Sequence, residues 1–505
     1  MNNLSRKCPV IAICGATGTG KSKLAIDLAR RLGGQVINAD AVQLYKGLDI
    51  ATNKVTKEEA GDVVHHLLGC LDPIEGFRYN VHCYRRDCCY LIDVLRMHGV
   101  TPVVVGGTHY YLEAVLWRDF LRPTKERTSH GKGNVEKIEA ANATASQYSR
   151  EGSSIGLYLP THNGLKNYFT IFRRPRMRLP KDPRDYYAAL SNVNSEAAIH
   201  LHPNDTRKLQ QALLVHLSCE TANSSATDAF SPRTSTNRSS CPRYPPPNSL
   251  IFWLCCQSSI LNLRLDERVS KMVQRGLISE LDDFLISAAK SLLPDGPFFN
   301  EDGSVNEAGK KALFQLANKD LLPSVGTEHW CRGILQSIGF KEFEDFLQLS
   351  ASERESVNGR VMLAEAIEKM KIATRQYARR QLRWVNNRFL RRPALGGIPV
   401  YRLDVTPVLT AASPEEAESI WSSNILEPCL ATIIGEASPL LLTPEPFVDT
   451  PSTDVPEVPP PPYICSACKG RVFVNLSQWT EHLNSRSHKK RLATLKKRNV
   501  QMSLK

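Results

Sequence analysis

The run Gly15-Ala16-Thr17-Gly18-Thr19-Gly20-Lys21-Ser22 satisfies the pattern G-x-x-x-x-G-K-[ST], and few short motifs restrict a fold so strongly. Its glycines let the backbone curl until successive N–H groups and a helix N-terminus face one phosphate group. That geometry needs a strand before the motif and a helix after it. The apolar run Val10–Cys14 supplies the first, and Lys23-Leu24-Ala25-Ile26-Asp27-Leu28-Ala29 has the spacing of the second. Lys21 adds a point charge for terminal phosphate oxygens, and the Ser22 hydroxyl suits a hydrated Mg²⁺. The motif therefore predicts a ligand containing a diphosphate without saying which one, and it leaves a nucleotide-dependent kinase or NTPase open.

The next strand-like run, Gln35–Asn38, delivers Asp40 at its C-terminal end, beside the phosphate loop. An Asp there serves either as a metal ligand or as a base. Pro102–Val105 reads as a third buried strand and Leu250–Leu254 as a further one of the same sheet. Strands separated by helix-length segments predict βαβ units and an α/β fold, a P-loop NTPase-like parallel sheet.

Composition divides the chain into five parts. Residues 1–118 carry the first part of the catalytic core, and 119–249 form an insertion with helical and low-complexity segments. The core returns over 250–436 with a basic helical region. A Pro-rich linker (437–462) then leads to a module at 463–505. Ser191–His216 reads as helical, and Glu220–Pro247 is too rich in Ser, Thr, Asn and Pro to offset its chain entropy by burial. No apolar run approaches the ~20 residues of a membrane span. The 14 cysteines, crowded as Cys88-Cys89 and Cys255-Cys256, fit reduced thiols plus one metal site better than a disulfide framework. His65-His66 and Cys88-Cys89 lack spaced partners and read as core or surface positions, and Trp117, Trp253 and Trp330 as packing residues.

That metal site is Cys465-x₂-Cys468-x₁₃-His482-x₅-His488, which has the ligand types and spacing of a structural Zn²⁺ centre, with Phe473 and Trp479 as the small core of a C2H2 ββα finger. Residues 463–505 hold ten Lys/Arg and one acidic residue, Glu481, which favours contact with RNA. A second basic element is Lys371–Arg392, with eight Lys/Arg and no Asp or Glu. Ala378, Leu382, Val385 and Phe389 mark its apolar face, while Arg375, Arg379 and Arg383 form an i, i+4, i+8 ladder suited to a phosphate backbone.

The run from Asn38 to Lys54, with Asp40, Gln43, Tyr45 and Gly47-Leu48-Asp49-Ile50, resembles the tRNA dimethylallyltransferases (tRNA isopentenyltransferases). Further blocks agree in order: His65-His66-Leu67, Gly106-Gly107-Thr108, His202-Pro203-Asn204-Asp205, Arg268-Val269, Ser337-Ile338-Gly339-Phe340 and Thr374–Trp384. The C-terminal finger resembles that of the eukaryotic branch. The resemblance implies transfer of a dimethylallyl group from dimethylallyl diphosphate to N6 of adenosine 37 (A37) of tRNA, next to the anticodon. It implies a helical tRNA-binding insertion in the α/β core, catalytic Mg²⁺, structural Zn²⁺ and a monomer without membrane contact. The cytoplasm is the expected compartment, and the family's mitochondrial and nuclear pools stay open as alternatives.

In this resemblance Gly15, Thr17, Gly18, Thr19, Gly20, Lys21 and Ser22 hold the diphosphate, and Ser22 the Mg²⁺. Asp40, Thr108 and Lys21 are catalytic. Asp40, Ala41, Val42, Gln43, Thr108, Arg375, Arg379, Arg383 and Trp384 contact tRNA. Two positions depart from the family pattern. Ala41 stands where Ser is usual. Gln211 stands where an Arg contacts the diphosphate, and Arg207 or Lys208 on the same helical face is the expected substitute. Those departures keep a second class of function open, an RNA-binding module on a weak or inactive core.

Overall fold

Every residue of Val10–Gly15 (β1) is buried, as a central strand with helices on both faces requires. The computed structural model describes residues 8–73, 79–118, 241–293, 297–300, 303–317, 337–390, 397–435, 441–442, 463–468, 470–473 and 476–503, with residue 334 and shorter runs between 182 and 213. Side chains of β1 alternate between two cores. Val10, Ala12 and Cys14 join one cluster, and Ile11 and Ile13 the other.

Along the chain, β1 is followed by Lys21–Leu32 (α1), Gln35–Asn38 (β2), His65–His66 (β3), Val81–Met97 (α2), Pro102–Val105 (β4) and His109–Leu116 (α3). After the insertion come Ser249–Cys255 (β5), Ser258–Gln274 (α4), Leu277–Leu292 (α5) and Val357–Trp384 (α6). The sheet order is β3-β2-β4-β1-β5, extended by Val400–Asp404 (β6) and Leu441–Leu442 (β7). Its first six strands run parallel, and β7 pairs antiparallel at the β6 edge. The expected α/β parallel sheet is thus present. β6 is a strand the sequence did not announce. Its burial is interrupted, with Val400 and Leu403 buried in the two different cores and Arg402 and Asp404 exposed, so it lacks the continuous apolar run that marks β1 and β5.

The end of the low-complexity tract is also more structured than its composition predicts. Trp117 bridges to Pro242, Arg243 N–H donates to Leu116 O at 2.7 Å, and Tyr244 is buried. Backbone bonds tie this Pro-rich stretch to the end of α3, while Tyr244 Oη donates to Asp93 of α2 at 3.3 Å. Tracts 119–181 and 220–240, with Trp330, lie outside the described residues. His65 and Cys88 are core positions, as are Trp117 and Trp253.

Helix α6 buries Ala366, Met370, Thr374, Ala378 and Gln381, and ends in a π turn, Val385–Phe389. Among the described residues, three basic side chains of α6 and its π turn meet carboxylates from other elements: Lys369 pairs with Asp345 at 3.2 Å, Arg375 with Asp266 of α4, and Arg388 of the π turn with the fully buried Glu113 of α3 at 2.7 Å. Removing one partner of such a pair is expensive, because a charge stays behind in a poorly solvated place. Arg388→Met should destabilise the fold by about 3 kcal/mol, read as a lower urea midpoint. Arg388→Met with Glu113→Gln should recover part of that loss.

The described residues fall in two compact units. One is drawn from Met1–Leu159 and Ser239–Phe447, and the other from Pro160–Arg238 and Val448–Lys505. In the second, Tyr186–Val193 is helical. Tyr463–Cys465 (β8) and Arg471–Phe473 (β9) form an antiparallel hairpin ahead of Leu476–Asn484 and Arg486–Ser503. Among the described residues no helix is long and apolar enough to cross a membrane.

Candidate active site and metal centre

The loop after β1 is held open by its neighbours. Gly15 N–H donates to His109 Nε2 at 3.2 Å, and Thr17 N–H to Gln381 Oε1 at 2.8 Å. Thr19 Oγ1 and Lys21 Nζ both donate to Ala16 O, at 2.8 and 2.7 Å. Gly15 and Thr17 therefore spend their N–H groups inside the protein. The amides of the first turn of α1, from Gly20 onward, have no intrahelical acceptor by construction and face outward. The motif alone makes all of these residues ligand contacts. The structure divides them into those that shape the loop and those whose donors point out of it.

Asp40 lies across from this loop. Asn38 Oδ1 accepts from Asp40 N–H at 3.1 Å, and Asp40 Oδ1 accepts from Val42 N–H at 3.2 Å. The turn is thereby fixed by the side chains of its own residues. Ala41 N–H donates to Thr108 Oγ1 at 2.9 Å, so Thr108 is joined to the Asp40 turn through backbone rather than through the missing Ser hydroxyl. Gly107 is required by close approach. A Cβ there would stand 2.6 Å from Gln381 Nε2 and 2.8 Å from Asp40 Oδ2. Gln381 also donates to Gly107 O at 2.9 Å, which makes one buried amide on α6 the link between the phosphate loop and the Thr108 loop.

Electrostatics identify a further member. Arg268, on α4, interacts with both Asp40 and Lys21. Burial pushes the Lys21 ammonium down to about 8, with Arg268 adding to the shift and Asp40 opposing it. Burial likewise lowers Arg268 to about 10, again opposed by Asp40. The Asp40 carboxyl is raised, first by burial, while the N–H of Val42 and the charges of Lys21 and Arg268 pull it back. Two cations and one carboxylate thus share one poorly solvated mouth, the setting in which functional groups cluster. In the sequence Arg268 falls within a block shared with the family, without an assigned role. The available signal was Arg264-x-x-x-Arg268 on the face of α4 flanked by buried Leu261, Leu265 and Val269. Arg264 itself donates to Gly18 O at 2.9 Å.

Other sequence candidates are placed as follows. Gln43 gives its amide N–H groups to Thr52 O and Asn53 O, at 3.1 and 3.0 Å, so its nitrogen fixes a turn. Arg379 and Arg383 are exposed and, with Gln376, Arg380 and Leu382, line an open groove of about 570 Å³. Arg375 is turned to Asp266, so the expected three-step ladder presents two exposed rungs and one ion pair. Trp384 is half-buried and meets Tyr110 edge-on at 5.8 Å. Lys208 is exposed and paired with Asp205 at 2.7 Å, while Arg207 and Gln211 lie outside the described residues.

Cys465, Cys468, His482 and His488 bring one ligand atom each within 4.8 Å of one another, all four buried. His488 Nδ1 is 3.5 Å from Cys465 Sγ and 3.6 Å from Cys468 Sγ. Those are the separations expected of ligands at roughly 2.3 and 2.0 Å from one tetrahedral centre. His482 Nε2 is buried without a protein partner, an atom that a metal ion would satisfy. The donor set fits.

The chain's sequence matches the pattern of the family described as IPP transferase over residues 43–152 and 169–388, and that of isopentenyl transferase over 8–65. The chain belongs to the IPP transferase family. It is 31% identical over 501 residues to the tRNA dimethylallyltransferase of Mus musculus, covering 98% of this chain and 87% of that one. The Homo sapiens tRNA dimethylallyltransferase is also 31% identical, with 99% and 88% covered. Among solved structures, a eukaryotic dimethylallyltransferase acting on tRNA superposes with a TM-score of 0.60 at 25% identity, covering 98% of both chains. The two matches together span the loop, Asp40, Thr108, Arg268 and α6, and the longer one stops at residue 388.

Proposed function

We propose that this chain transfers the dimethylallyl group of dimethylallyl diphosphate to N6 of A37 of tRNA. The observation that carries this reading is the mouth shared by Asp40, Lys21 and Arg268 beside Thr108. Lys21, Arg268 and the first-turn amides of α1 bind the diphosphate and stabilise the charge it gains on leaving. Adenine N6 forms the new bond to the allylic carbon as the carbon–oxygen bond to diphosphate breaks. The N6 proton passes to Asp40, whose raised pKa suits a base. Thr108 orients the Asp40 turn, and Gln43 Oε1 remains as an acceptor at its edge. A37 has to leave the anticodon-loop stack to reach this mouth. The exposed Arg379, Arg380 and Arg383 then meet backbone phosphates.

The exposed Ser22, at the N-terminal end of α1, would hold a Mg²⁺ ion through its hydroxyl. Bound there, the ion would neutralise leaving-group charge. The finger ligands fit Zn²⁺, and the crowded cysteine pairs of the sequence favour a reducing compartment such as the cytosol. The test of function is label transfer from dimethylallyl diphosphate to a serine tRNA transcript carrying A37. Label should reach that transcript and not its A37→G counterpart. Tight tRNA binding without label would instead favour an inactive RNA-binding core.

Zinc has its own expected outcome. A finger this small has little core, so the ion drives its folding. The purified chain should carry one Zn²⁺. Cys468→Ser should lose it, together with protease resistance of 463–505, while the urea midpoint of the α/β core stays unchanged. Metal-free wild-type protein with a protected finger would refute the assignment.

A further inference from the structure

The family match ends at residue 388, yet the chain beyond it returns to the phosphate loop. β6 leads into Pro414–Trp421 (α7), a π turn at Ser422–Leu426 and Glu427–Ile434 (α8). Trp421, Ile425 and Cys429 form a buried stripe, at spacings of four residues, in the same apolar cluster as Leu24 and Leu28 of α1. Trp421 is the member nearest the ligand site. A Cβ built on Gly20 would lie 3.2 Å from both Cη2 and Cζ3 of its ring. Its Nε1 donates to Asp27 Oδ2 at 2.8 Å, one turn and more along α1. Lys23 Nζ lies 5.0 Å from the ring centroid and pairs with Glu418 of α7 at 3.1 Å.

Gly20 is the N-cap of α1, in the left-handed region at φ 87°, without a side-chain cap. Glycine in that state has more freedom than any other residue, and ordering it on ligand binding costs affinity. Gly18, also left-handed at φ 83°, is walled by Leu265, whose Cδ2 lies 2.9 Å from a built Cβ. Gly18 and Gly20 are thus each backed by a side chain, one from α4 and one from α7. The ring plane of Trp421 is itself held by the Asp27 bond.

We propose that Trp421 is a positioning residue for the diphosphate: it fixes the Gly20 turn so that the amides at the start of α1 are already aimed before the ligand arrives. This deepens the reading given above and rests on it. It places part of the affinity for the leaving group in a segment that lies outside the matched family region. The consequence is selective. The diphosphate should feel the loss of the ring, and tRNA should not.

The test compares wild type, Trp421→Leu and Trp421→Phe as full chains. Trp421→Leu should raise KM for dimethylallyl diphosphate and Ki for inorganic diphosphate roughly tenfold, with KM for tRNA and kcat within about twofold. Trp421→Phe, which keeps a ring against Gly20, should restore most of the affinity. Equal losses in every parameter, or none, would overturn the proposal. Because the leucine variant loses buried area, a second measurement uses only the conservative one. Inorganic diphosphate with Mg²⁺ should change tryptophan fluorescence in wild type and not in Trp421→Phe. The same change in both proteins would also overturn it. Should wild type bind inorganic diphosphate but transfer no label, the transfer reading fails while the positioning role remains under test by these two readouts.

Discussion

Asp40→Asn should lower kcat for dimethylallyl transfer by about 10²–10⁴-fold while the protein binds inorganic diphosphate no more weakly than wild type. The two halves of this expectation come from one geometry. Asn is nearly isosteric and can still accept from Val42 N–H, so the turn between Asn38 and Val42 should persist. What disappears is the basic oxygen for the N6 proton. What also disappears is a negative charge beside Lys21 and Arg268, and that charge repels an incoming diphosphate. A metal-ligand role for Asp40 predicts the opposite second half, since losing a ligand would weaken Mg²⁺-dependent diphosphate binding. Rapid-quench turnover together with calorimetric titration of inorganic diphosphate separates the two. An Asp40→Asn protein that transfers at near-normal rate, or that loses both properties together, would remove Asp40 from the role of base.

The same residues show which parts of such a site are legible in a sequence. The phosphate loop, β1, β5 and the finger could be read because each is specified locally, by glycine spacing, unbroken apolar runs or ligand spacing. The parallel sheet followed from their alternation with helices. Ion pairing could not be read so. Arg375 looked free because no acid lies near it in the chain, yet Asp266, 109 residues away, meets it. Gln381 was one polar residue on a basic helix until folding set its amide between Thr17 N–H and Gly107 O. Arg268 stands in a block shared with the family, but its place beside Asp40 and Lys21 depends on α4 following β5 next to β1. β6 and Trp421 carry no local signature, because half-apolar strands and single tryptophans are common. Their meaning comes only from the neighbours that the sheet brings to them.

Lys21 gives the other large effect, and its pH dependence follows from its sign. A lysine acts on diphosphate only when protonated, and burial has brought this one down to about 8 in the free protein. Its charge is therefore present below that pH and lost above it. Bound diphosphate favours the ammonium and moves the pKa upward. The alkaline limb should accordingly appear near pH 8 in kcat/KM for dimethylallyl diphosphate, which reports the free enzyme. It should be displaced to higher pH in kcat, which reports the complex. Lys21→Met should lower kcat/KM by about 10²–10³-fold and abolish the limb. Lys21→Arg keeps a charge to far higher pH and should shift the limb out, at some loss of rate from its different shape. Arg268 at about 10 lies too high to produce a limb near 8. A limb unchanged in Lys21→Met would therefore assign it to the tRNA or to the substrate rather than to the loop.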